Sequence, residues 1–253
     1  MSGAGPRVHV RPEAVSGTRV VLDAAEARHL RRALRLRVGD LVRALDGRGR
    51  ELTVRLTALD ARSAEGEILD TVTPARESPL HLTLAQGLPK ADKLETIIRM
   101  STELGVAAVV PLLTARTVPV GEGRGRLARW ERVAREAAKQ SGRAVVPAIA
   151  APVALPAWLA ARDPAGVLVC LWEREPAPLA DRLPAARPDR ATVVVGPEGG
   201  LAEEELAGLE AAGAIVAGLG PRVLRTETAG PVAVALLQAR WGDLGVGAPQ
   251  VAG

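Results

Sequence analysis

The sequence predicts an α/β fold in which helices cover a mainly parallel sheet, preceded by a smaller β-rich domain. From residue 80 onward, short apolar strand patterns alternate with helical patterns, an order typical of a parallel sheet. Before it, residues 1 to about 72 carry short alternating strands around one basic helix. A proline-bearing stretch, TVTPARESP, separates these two patterns of predicted elements. We therefore predict one domain at residues 1–74 and a second at residues 75–253.

Composition limits the class of protein. The chain has 253 residues, of which 47% are apolar, enough for a large core. No apolar run reaches the roughly 18–20 residues needed to span a bilayer, and the N-terminus lacks the apolar middle of a signal peptide. We expect a cytoplasmic protein that binds no membrane. Cys170 is the only cysteine and lies in GVLVCLW, which excludes a disulfide framework and predicts a buried thiol without a metal site.

The first predicted domain contains two short strands, a helix and a hairpin. RVHV and TRVVL are the strands, separated by a turn. Asp23, with Glu26 three residues later, resembles a capping box and starts a predicted helix, AAEARHLRRALRL, that a glycine closes. DLVRALDGRGRELTVRL then alternates around an Asp-Gly turn, which is a hairpin signal. Three cations share one stripe of the helix at i, i+4 and i+7, namely Arg28, Arg32 and Arg35.

The second predicted domain begins with strand LHLTLAQ and helix DKLETIIRMSTELG, whose apolar residues fall on one face at helical spacing. Clear strand and helix patterns continue to the last helix near Trp241. The Gly230-Pro231 pair is expected to interrupt that helix near its start. Between helix DKLETIIRMSTELG and the last helix, the predicted elements are, in order, strand VAAVVPLL, helix RLARWERVAREAAKQSG, helix LPAWLAAR, strand GVLVCLW, strand ATVVVG, helix AEEELAGLEAAG and strand AIVAGLG.

Two unusual loops follow strands of this sheet: GPEGG after VVV, and LGPRVLRTETAG after AIVAG. Ligand sites of open α/β sheets lie beyond the carboxyl ends of strands. Glycines allow a ligand to approach the backbone, and Pro197 keeps that approach rigid. Neither loop has the Gly-Lys-Ser/Thr ending of a phosphate loop or the dinucleotide fingerprint. A glutamate where a phosphate would lie favours a neutral or cationic ligand, such as adenosine carrying a sulfonium.

The alternative is that GPEGG is a tight turn and that the three following glutamates only favour the start of a helix. For this loop alone the two interpretations are evenly balanced. The second loop favours a site, because it again places a Gly-Pro pair and a dense polar run after a strand. Two such loops at one sheet edge are difficult to explain as turns.

Longer motifs around these loops resemble a known family. VVVGPEGGLAEEE, LGPRVLRTETA, LPKADKLETIIRMSTELGV and RWERVAREAAKQSGR are similar to the ribosomal RNA small subunit methyltransferase E family, of the knotted SPOUT superfamily. HLRRALRLRVGD and DGRG resemble, more weakly, that family's PUA-like RNA-binding domain. The resemblance implies a C-terminal α/β trefoil-knot domain, an N-terminal PUA-like β-barrel and a homodimer. It also implies methylation of N3 of a uridine in 16S ribosomal RNA, near the decoding region, with S-adenosyl-L-methionine as cofactor.

The resemblance also implies the site residues. The cofactor would lie bent in the knot, with its adenine held by backbone groups. The cofactor-binding residues would be Leu171, Trp172, Glu173, Gly196, Pro197, Glu198, Gly199, Gly200, Leu219, Gly220, Val223, Leu224, Arg225, Thr226, Glu227 and Thr228. The catalytic candidates are Arg225, Glu198 and Glu227. The RNA-binding candidates are Arg28, Arg32, Arg35, Lys90, Lys93, Arg116 and Arg143.

The candidate roles follow from the chemistry of uridine N3, which must lose a proton. A base can remove it, or a cation can stabilise the anion through the flanking carbonyl oxygens. We assign the second role to Arg225, with Glu198 or Glu227 nearby. The alternative for Arg225 is a structural ion pair with Glu227 or a contact at the end of a helix. Each RNA-binding candidate taken alone could be a solvated surface charge, and the set is the better indication.

The sequence leaves two alternative functions open. One keeps the fold and methylates another RNA, such as a ribose hydroxyl of tRNA. The other is an RNA-binding ribosome-assembly factor in which the methyltransferase fold is only a scaffold. One detail could also alter the site: Leu201-Ala202 follows GPEGG, so the serine that would begin the next helix is missing. That helix is therefore expected to start less firmly.

Overall fold

A computed structural model describes residues 5–73, 77–118 and 125–245 of the chain. The described residues form two compact units. The first contains residues 5–73, 77 and 135–146, and the second contains residues 78–118, 125–134 and 147–245. The predicted domain boundary between residues 74 and 75 lies outside the described residues.

The first unit is built on a six-stranded sheet. Strand β1 pairs in parallel with β4, and every other pair is antiparallel. The predicted hairpin is confirmed as β4 and β5, and the Asp46 carboxylate closes its turn by accepting the backbone N–H groups of Arg48 and Arg50. The strands are β1 (Arg7–His9), β2 (Val15–Ser16), β3 (Arg19–Leu22), β4 (Leu41–Leu45), β5 (Glu51–Leu59) and β6 (Ala64–Val72), in the sheet order β1-β4-β5-β6-β3-β2.

The basic helix of this unit is shorter than predicted. Asp23 caps it as expected, since its carboxylate accepts the N–H groups of Ala25 and Glu26. Regular helix α1 nevertheless ends at Arg28 (Ala24–Arg28), and a π-helical segment, His29–Ala33, follows. Arg35 then adopts a left-handed backbone with φ 55°. The single helical stripe of Arg28, Arg32 and Arg35 was therefore wrong, because the wider turn changes the angular spacing between these positions.

A half-buried histidine makes the first unit sensitive to acid. Burial, with the nearby positive charges of Arg135 and Lys139, lowers the pKa of His9 to about 4, against the opposing charges of Asp23 and Asp46. An unfolded chain binds a proton at this histidine near pH 6.5, whereas the folded protein does so only near pH 4. The stability that neutral His9 contributes is therefore present above pH 6.5 and is lost as the pH falls towards 4.

We expect the His9→Gln variant to lose less stability than the wild type between pH 6.5 and pH 4. Urea unfolding followed at several pH values measures this slope. His29 is exposed in the same unit, so His29→Gln is the matched control and should keep the wild-type slope. An identical slope in the wild type and His9→Gln would contradict the assignment.

The second unit contains the predicted parallel sheet. All of its paired strands are parallel, which confirms the α/β class, while the trefoil knot stays a prediction. Its strands are β7 (His81–Gly87), β8 (Ala108–Leu113), β9 (Ala148–Ile149), β10 (Val153–Ala154), β11 (Val167–Leu171), β12 (Arg190–Val195) and β13 (Ile215–Ala217), in the order β10-β8-β7-β12-β11-β13 with β9 beside β8.

In the described part of the rest of the chain, five helices match the predicted patterns, and the short helix α5 (Leu179–Arg182) was not predicted. Helix α2 buries Leu94, Ile97 and Ile98, its predicted apolar face. Helix α7 continues through Pro231 without the expected interruption. Pro231 follows Gly230, where the absence of a Cβ leaves room for the buried side chain of Gln86. These helices are α2 (Lys93–Glu103), α3 (Arg126–Ser141), α4 (Leu155–Ala161), α5 (Leu179–Arg182), α6 (Glu203–Ala211) and α7 (Thr226–Trp241).

The single thiol lies in the core of the second unit. Cys170 is fully buried, as predicted, and burial raises its pKa to about 12. It is therefore a packed apolar group rather than a nucleophile. Across residues 5–73, 77–118 and 125–245, no helix is long and apolar enough to cross a bilayer. Within the same ranges, no group of three or more His, Cys, Asp or Glu side chains could hold a metal ion.

Candidate functional site

A cavity of about 440 Å³ lies at the carboxyl ends of β11, β12 and β13. Its size falls within the roughly 300–1,000 Å³ range of small-molecule sites. Leu171 pairs with Ala217 and Cys170 with Val194, so the three strands end at one edge and their loops meet there. The predicted cofactor residues that line the cavity are Leu171, Trp172, Glu173, Gly196, Pro197, Glu198, Gly199, Gly200, Leu219, Gly220, Val223, Leu224, Arg225 and Thr226. Glu227 and Thr228 do not line it.

The GPEGG loop is a compact turn that packs against a neighbouring strand. The Gly200 N–H donates to the Pro197 carbonyl at 2.9 Å, and Gly200 has φ 72°, which favours glycine. A Cβ on Gly196 would lie 2.9 Å from the Gly200 carbonyl carbon. Gly87, at the end of β7, lies directly behind Pro197. The glycines therefore bring backbone, rather than side chains, to the cavity surface.

Glu173 and Trp172 form a third wall of the cavity, beside the GPEGG and LGPRVLRTETAG loops. A Cβ on Gly200 would lie 3.0 Å from Glu173 Oε1, so this carboxylate lies beside the GPEGG turn, and its residue is exposed. The Trp172 ring is buried, and the Arg174 guanidinium lies 5.7 Å from its centroid. Backbone polar groups, a carboxylate and an apolar ring are suited to a nucleoside that carries a positive charge.

A buried amide that the sequence did not indicate joins the GPEGG and LGPRVLRTETAG loops. Gln86 is fully buried at the end of β7, and its Nε2 lies 2.9 Å from Thr226 Oγ1 and 3.3 Å from the Gly196 carbonyl. The Thr226 hydroxyl donates to that same carbonyl at 2.8 Å. The available signal was a polar residue ending the apolar strand LTLAQ. Gly196 in one loop and Thr226 in the other are thus held by one network.

We expect Thr226→Val to lower the free energy of unfolding by about 1–3 kcal/mol, because it leaves the buried Gln86 amide without its nearest acceptor. Thr226→Ser keeps the hydroxyl and is the matched control. Urea unfolding of the three proteins measures the effect. Wild-type stability in Thr226→Val would show that the hydroxyl network does not supply the stability.

Only half of a capping box is present at the start of helix α6. Glu205 accepts the Ala202 N–H at 2.8 Å, but Ala202 has no side-chain oxygen to accept an N–H of the first turn, so the serine cap is missing as expected. The other oxygen of Glu205 accepts the Ala115 N–H at 2.8 Å. Next to it, Arg116 donates to the Gly199 carbonyl at 2.7 Å. The structure thus brings Arg116, predicted to contact RNA, onto the GPEGG loop.

The predicted catalytic residues form a charged cluster with Lys93, which also lines the cavity. The Lys93 ammonium lies 2.9 Å from Glu198 Oε1 and 3.3 Å from Glu227 Oε2, while Arg225 Nη1 is 3.9 Å from Glu227 Oε1. Burial acts to raise the pKa of Glu198, but hydrogen bonds from Lys93 and the Lys90 N–H outweigh it and hold that pKa below its usual value. The Glu227 backbone N–H, followed by Lys93, lowers the pKa of Glu227. Both carboxylates are therefore ionised and are weak proton acceptors.

The other RNA-binding candidates lie in different surroundings. Arg28, Arg32, Arg35 and Lys90 are exposed, as surface contacts require. Arg143 is only 7% exposed, and its guanidinium donates to the Glu77 carboxylate at 2.8 Å. A buried, paired guanidinium holds the first unit together, so the predicted contact of Arg143 with RNA was wrong.

The fold and the site define the class of an RNA methyltransferase. The family described as RNA methyltransferase domain matches residues 76–238, and the RNA methyltransferase PUA domain matches residues 22–69. The chain is similar to ribosomal RNA small subunit methyltransferase E of Synechocystis, with 36% identity over 92% of this chain and 77% of the relative. The corresponding Bacillus subtilis protein is 32% identical over 81% of this chain and 83% of the relative. This chain belongs to the ribosomal RNA small subunit methyltransferase E family.

Solved structures extend the similarity to the cofactor. A ribosomal RNA small subunit methyltransferase E from Neisseria gonorrhoeae, bound to S-adenosyl methionine, has 34% identity and a TM-score of 0.86 over 94% of this chain and 99% of its own. A methyltransferase from Legionella pneumophila, in complex with the same cofactor, has 30% identity and a TM-score of 0.85 over 95% and 99%. The cofactor predicted from the sequence is thus the one that these relatives bind.

Proposed function

We propose that this protein transfers the methyl group of S-adenosylmethionine to N3 of a uridine in 16S ribosomal RNA, near the decoding region. The observation that carries the proposal is the cavity built from the GPEGG, LGPRVLRTETAG and Leu171–Glu173 walls. Full-length similarity to proteins named for small-subunit ribosomal RNA supports the RNA class. The uridine and its atom follow from the resemblance of the motifs.

The residues present fit the cofactor. Exposed backbone groups of the glycine turn can hold adenine, and the Glu173 carboxylate at the cavity wall can accept hydrogen bonds from hydroxyl or ammonium groups. When bound, S-adenosylmethionine supplies a methyl group on a positively charged sulfur. The protein positions that methyl group in line with N3, and such positioning is worth about 7–11 kcal/mol of barrier in favourable cases.

Arg225 is assigned the stabilisation of the uridine anion. Its side chain is 84% exposed at the cavity wall, and its nearest carboxylate oxygen is 3.9 Å away. A guanidinium can donate to a carbonyl oxygen beside N3 as negative charge develops there. The lowered pKa values of Glu198 and Glu227 argue against either carboxylate as the group that removes the proton, so the N3 proton passes to solvent water.

Exposed cations of both units are candidates for contact with the RNA substrate. The exposed arginines near α1 and the exposed Lys90 are proposed to contact RNA phosphates, which position a substrate without specifying its sequence. The substrate is small-subunit ribosomal RNA, free or in the 30S particle, and the working protein is a cytoplasmic homodimer.

Nucleoside mass spectrometry tests the proposal directly. The purified protein is incubated with labelled S-adenosylmethionine and, in separate reactions, 30S particles or tRNA from cells lacking the gene, and the RNA is digested. We expect label in N3-methyluridine. Label in a ribose-methylated nucleoside or only in tRNA would contradict the proposed base. Cofactor binding with no transfer to any RNA would instead support a scaffold.

A further inference from the structure

Glu227 lies between two cations that compete for it. Its Oε2 atom is buried and makes no hydrogen bond among the described residues, so the 3.3 Å ion pair with the Lys93 ammonium is its closest charge contact. Its Oε1 atom is 3.9 Å from Arg225 Nη1. Lys93 therefore holds this carboxylate more closely than Arg225 does.

Glu198 strengthens the hold of Lys93 on this position. The Lys93 ammonium lies 2.9 Å from Glu198, whose oxygens also accept the Lys90 N–H at 3.2 and 3.3 Å. Lys93 is thus fixed by one carboxylate while it neutralises a second. Arg225 remains mostly exposed at the cavity wall, with only a long contact to Glu227.

Removing Lys93 would leave a partly buried carboxylate without its main counter-charge. The nearest remaining cation is Arg225, and an arginine readily forms a two-bond pair with a carboxylate. Such a pair would turn the guanidinium towards Glu227 and reduce the positive charge available to a ligand. The balance among these three side chains therefore controls the availability of Arg225.

We propose that Lys93 is a positioning residue which, by holding Glu227, keeps the Arg225 guanidinium available to the uridine carbonyl beside N3. This inference rests on the proposed function and adds a role for Lys93 that differs from the predicted contact with RNA. Lys93 acts through Glu227 and Arg225, and it touches neither the methyl group nor the base.

A double-mutant cycle tests the competition. We expect Lys93→Gln to lower kcat about 50- to 100-fold in the wild-type background and less than about fivefold in a Glu227→Gln background, because the competing carboxylate is then absent. The Kd for S-adenosylmethionine, measured by calorimetry, should change less than about threefold in these variants. Equal losses in the two backgrounds would overturn the inference, as would a Glu227→Gln protein without activity.

Two controls separate competition from general effects of charge. Lys93→Gln in a Glu198→Gln background should keep most of the kcat loss, since Glu227 is still free to bind Arg225. A rescue as large as that from Glu227→Gln would show that only net charge matters and would overturn the inference. Arg99 is exposed on the same helix, so Arg99→Gln is the matched loss of one cation and should retain wild-type kcat.

A measurement without substrate distinguishes this inference from the proposed function. Dicarbonyl reagents modify accessible guanidinium groups, and peptide mass spectrometry reports the rate at Arg225. We expect Lys93→Gln to slow this modification severalfold and Lys93→Gln with Glu227→Gln to restore it. An unchanged rate in Lys93→Gln would overturn the role of Lys93 even in an active enzyme. If the modification rate at Arg225 changes as expected but the wild type methylates no RNA, the proposed function is overturned and the role of Lys93 in holding Glu227 is not.

Discussion

Replacing Arg225 with glutamine is expected to lower kcat by about 100- to 1,000-fold while changing the Kd for S-adenosylmethionine only a few fold. Loss of one donor aimed at developing negative charge typically has an effect of this size. The physical reason is the exposure of this guanidinium at the cavity wall, with no carboxylate closer than 3.9 Å in the described residues. Single-turnover methylation of 30S particles and calorimetry of cofactor binding measure the two quantities.

The competing explanation for Arg225 is a structural ion pair with Glu227. A pair this exposed contributes at most about 1 kcal/mol, so the free energy of unfolding should change by no more than that. Arg222→Gln, which removes a neighbouring exposed guanidinium, is the matched control and should lower kcat less than tenfold. A large loss of cofactor affinity with an unaltered kcat would assign Arg225 to cofactor binding instead.

Substituting Gly87 with alanine is expected to weaken S-adenosylmethionine binding about 100-fold, although Gly87 does not line the cavity. The new Cβ would lie 2.5 Å from the Pro197 nitrogen and 2.8 Å from the Gly196 carbonyl carbon, contacts that only a backbone shift can relieve. The GPEGG loop would move. Displacement of a site by about 1 Å lowers a reaction rate on the order of 100-fold, and we expect a loss of similar size in cofactor affinity because the loop lines the cavity. Calorimetry with the cofactor gives the affinity directly.

A second glycine provides the control for this substitution. Gly208 lies in helix α6, where a Cβ would meet only a Leu159 methyl group at 3.9 Å. Gly208→Ala should therefore bind the cofactor as the wild type does and be as stable or more so, since alanine favours a helix. Normal cofactor affinity in Gly87→Ala would mean that β7 shifts to accept the new Cβ, and that the GPEGG loop keeps its position without the close contact between Gly87 and Pro197.

The parallel sheet and the two loops could be read from the sequence because their signals are local. Alternation of strand and helix patterns indicates the sheet, and Gly-Pro pairs directly after apolar runs indicate loops at its carboxyl edge. Both GPEGG and the segment containing Arg225 are at the cavity for this reason. The helix that ends early at Arg28 shows the limit, since a π-helical segment carries no clear local signature.

Local sequence patterns do not show which residues the charged and polar side chains contact. Lys93 was assigned to RNA, yet it contacts carboxylates at positions 198 and 227. Arg143 was also assigned to RNA, yet it is buried against Glu77. No local pattern indicates that Gln86 joins the two loops. Each of these contacts joins residues 66 to 140 positions apart.

The sequence by itself determined the class of fold, the family and the loops that form the cavity, because hydrophobic period and glycine chemistry act over a few residues. Only the tertiary structure decided which carboxylate each cation contacts and which amide crosses between loops. These choices depend on strand order and on where each strand ends, so that Lys93, Glu198 and Glu227 meet only when α2, which follows β7, is in place beside β12 and α7. Their meeting is a property of the packed sheet and of no single segment.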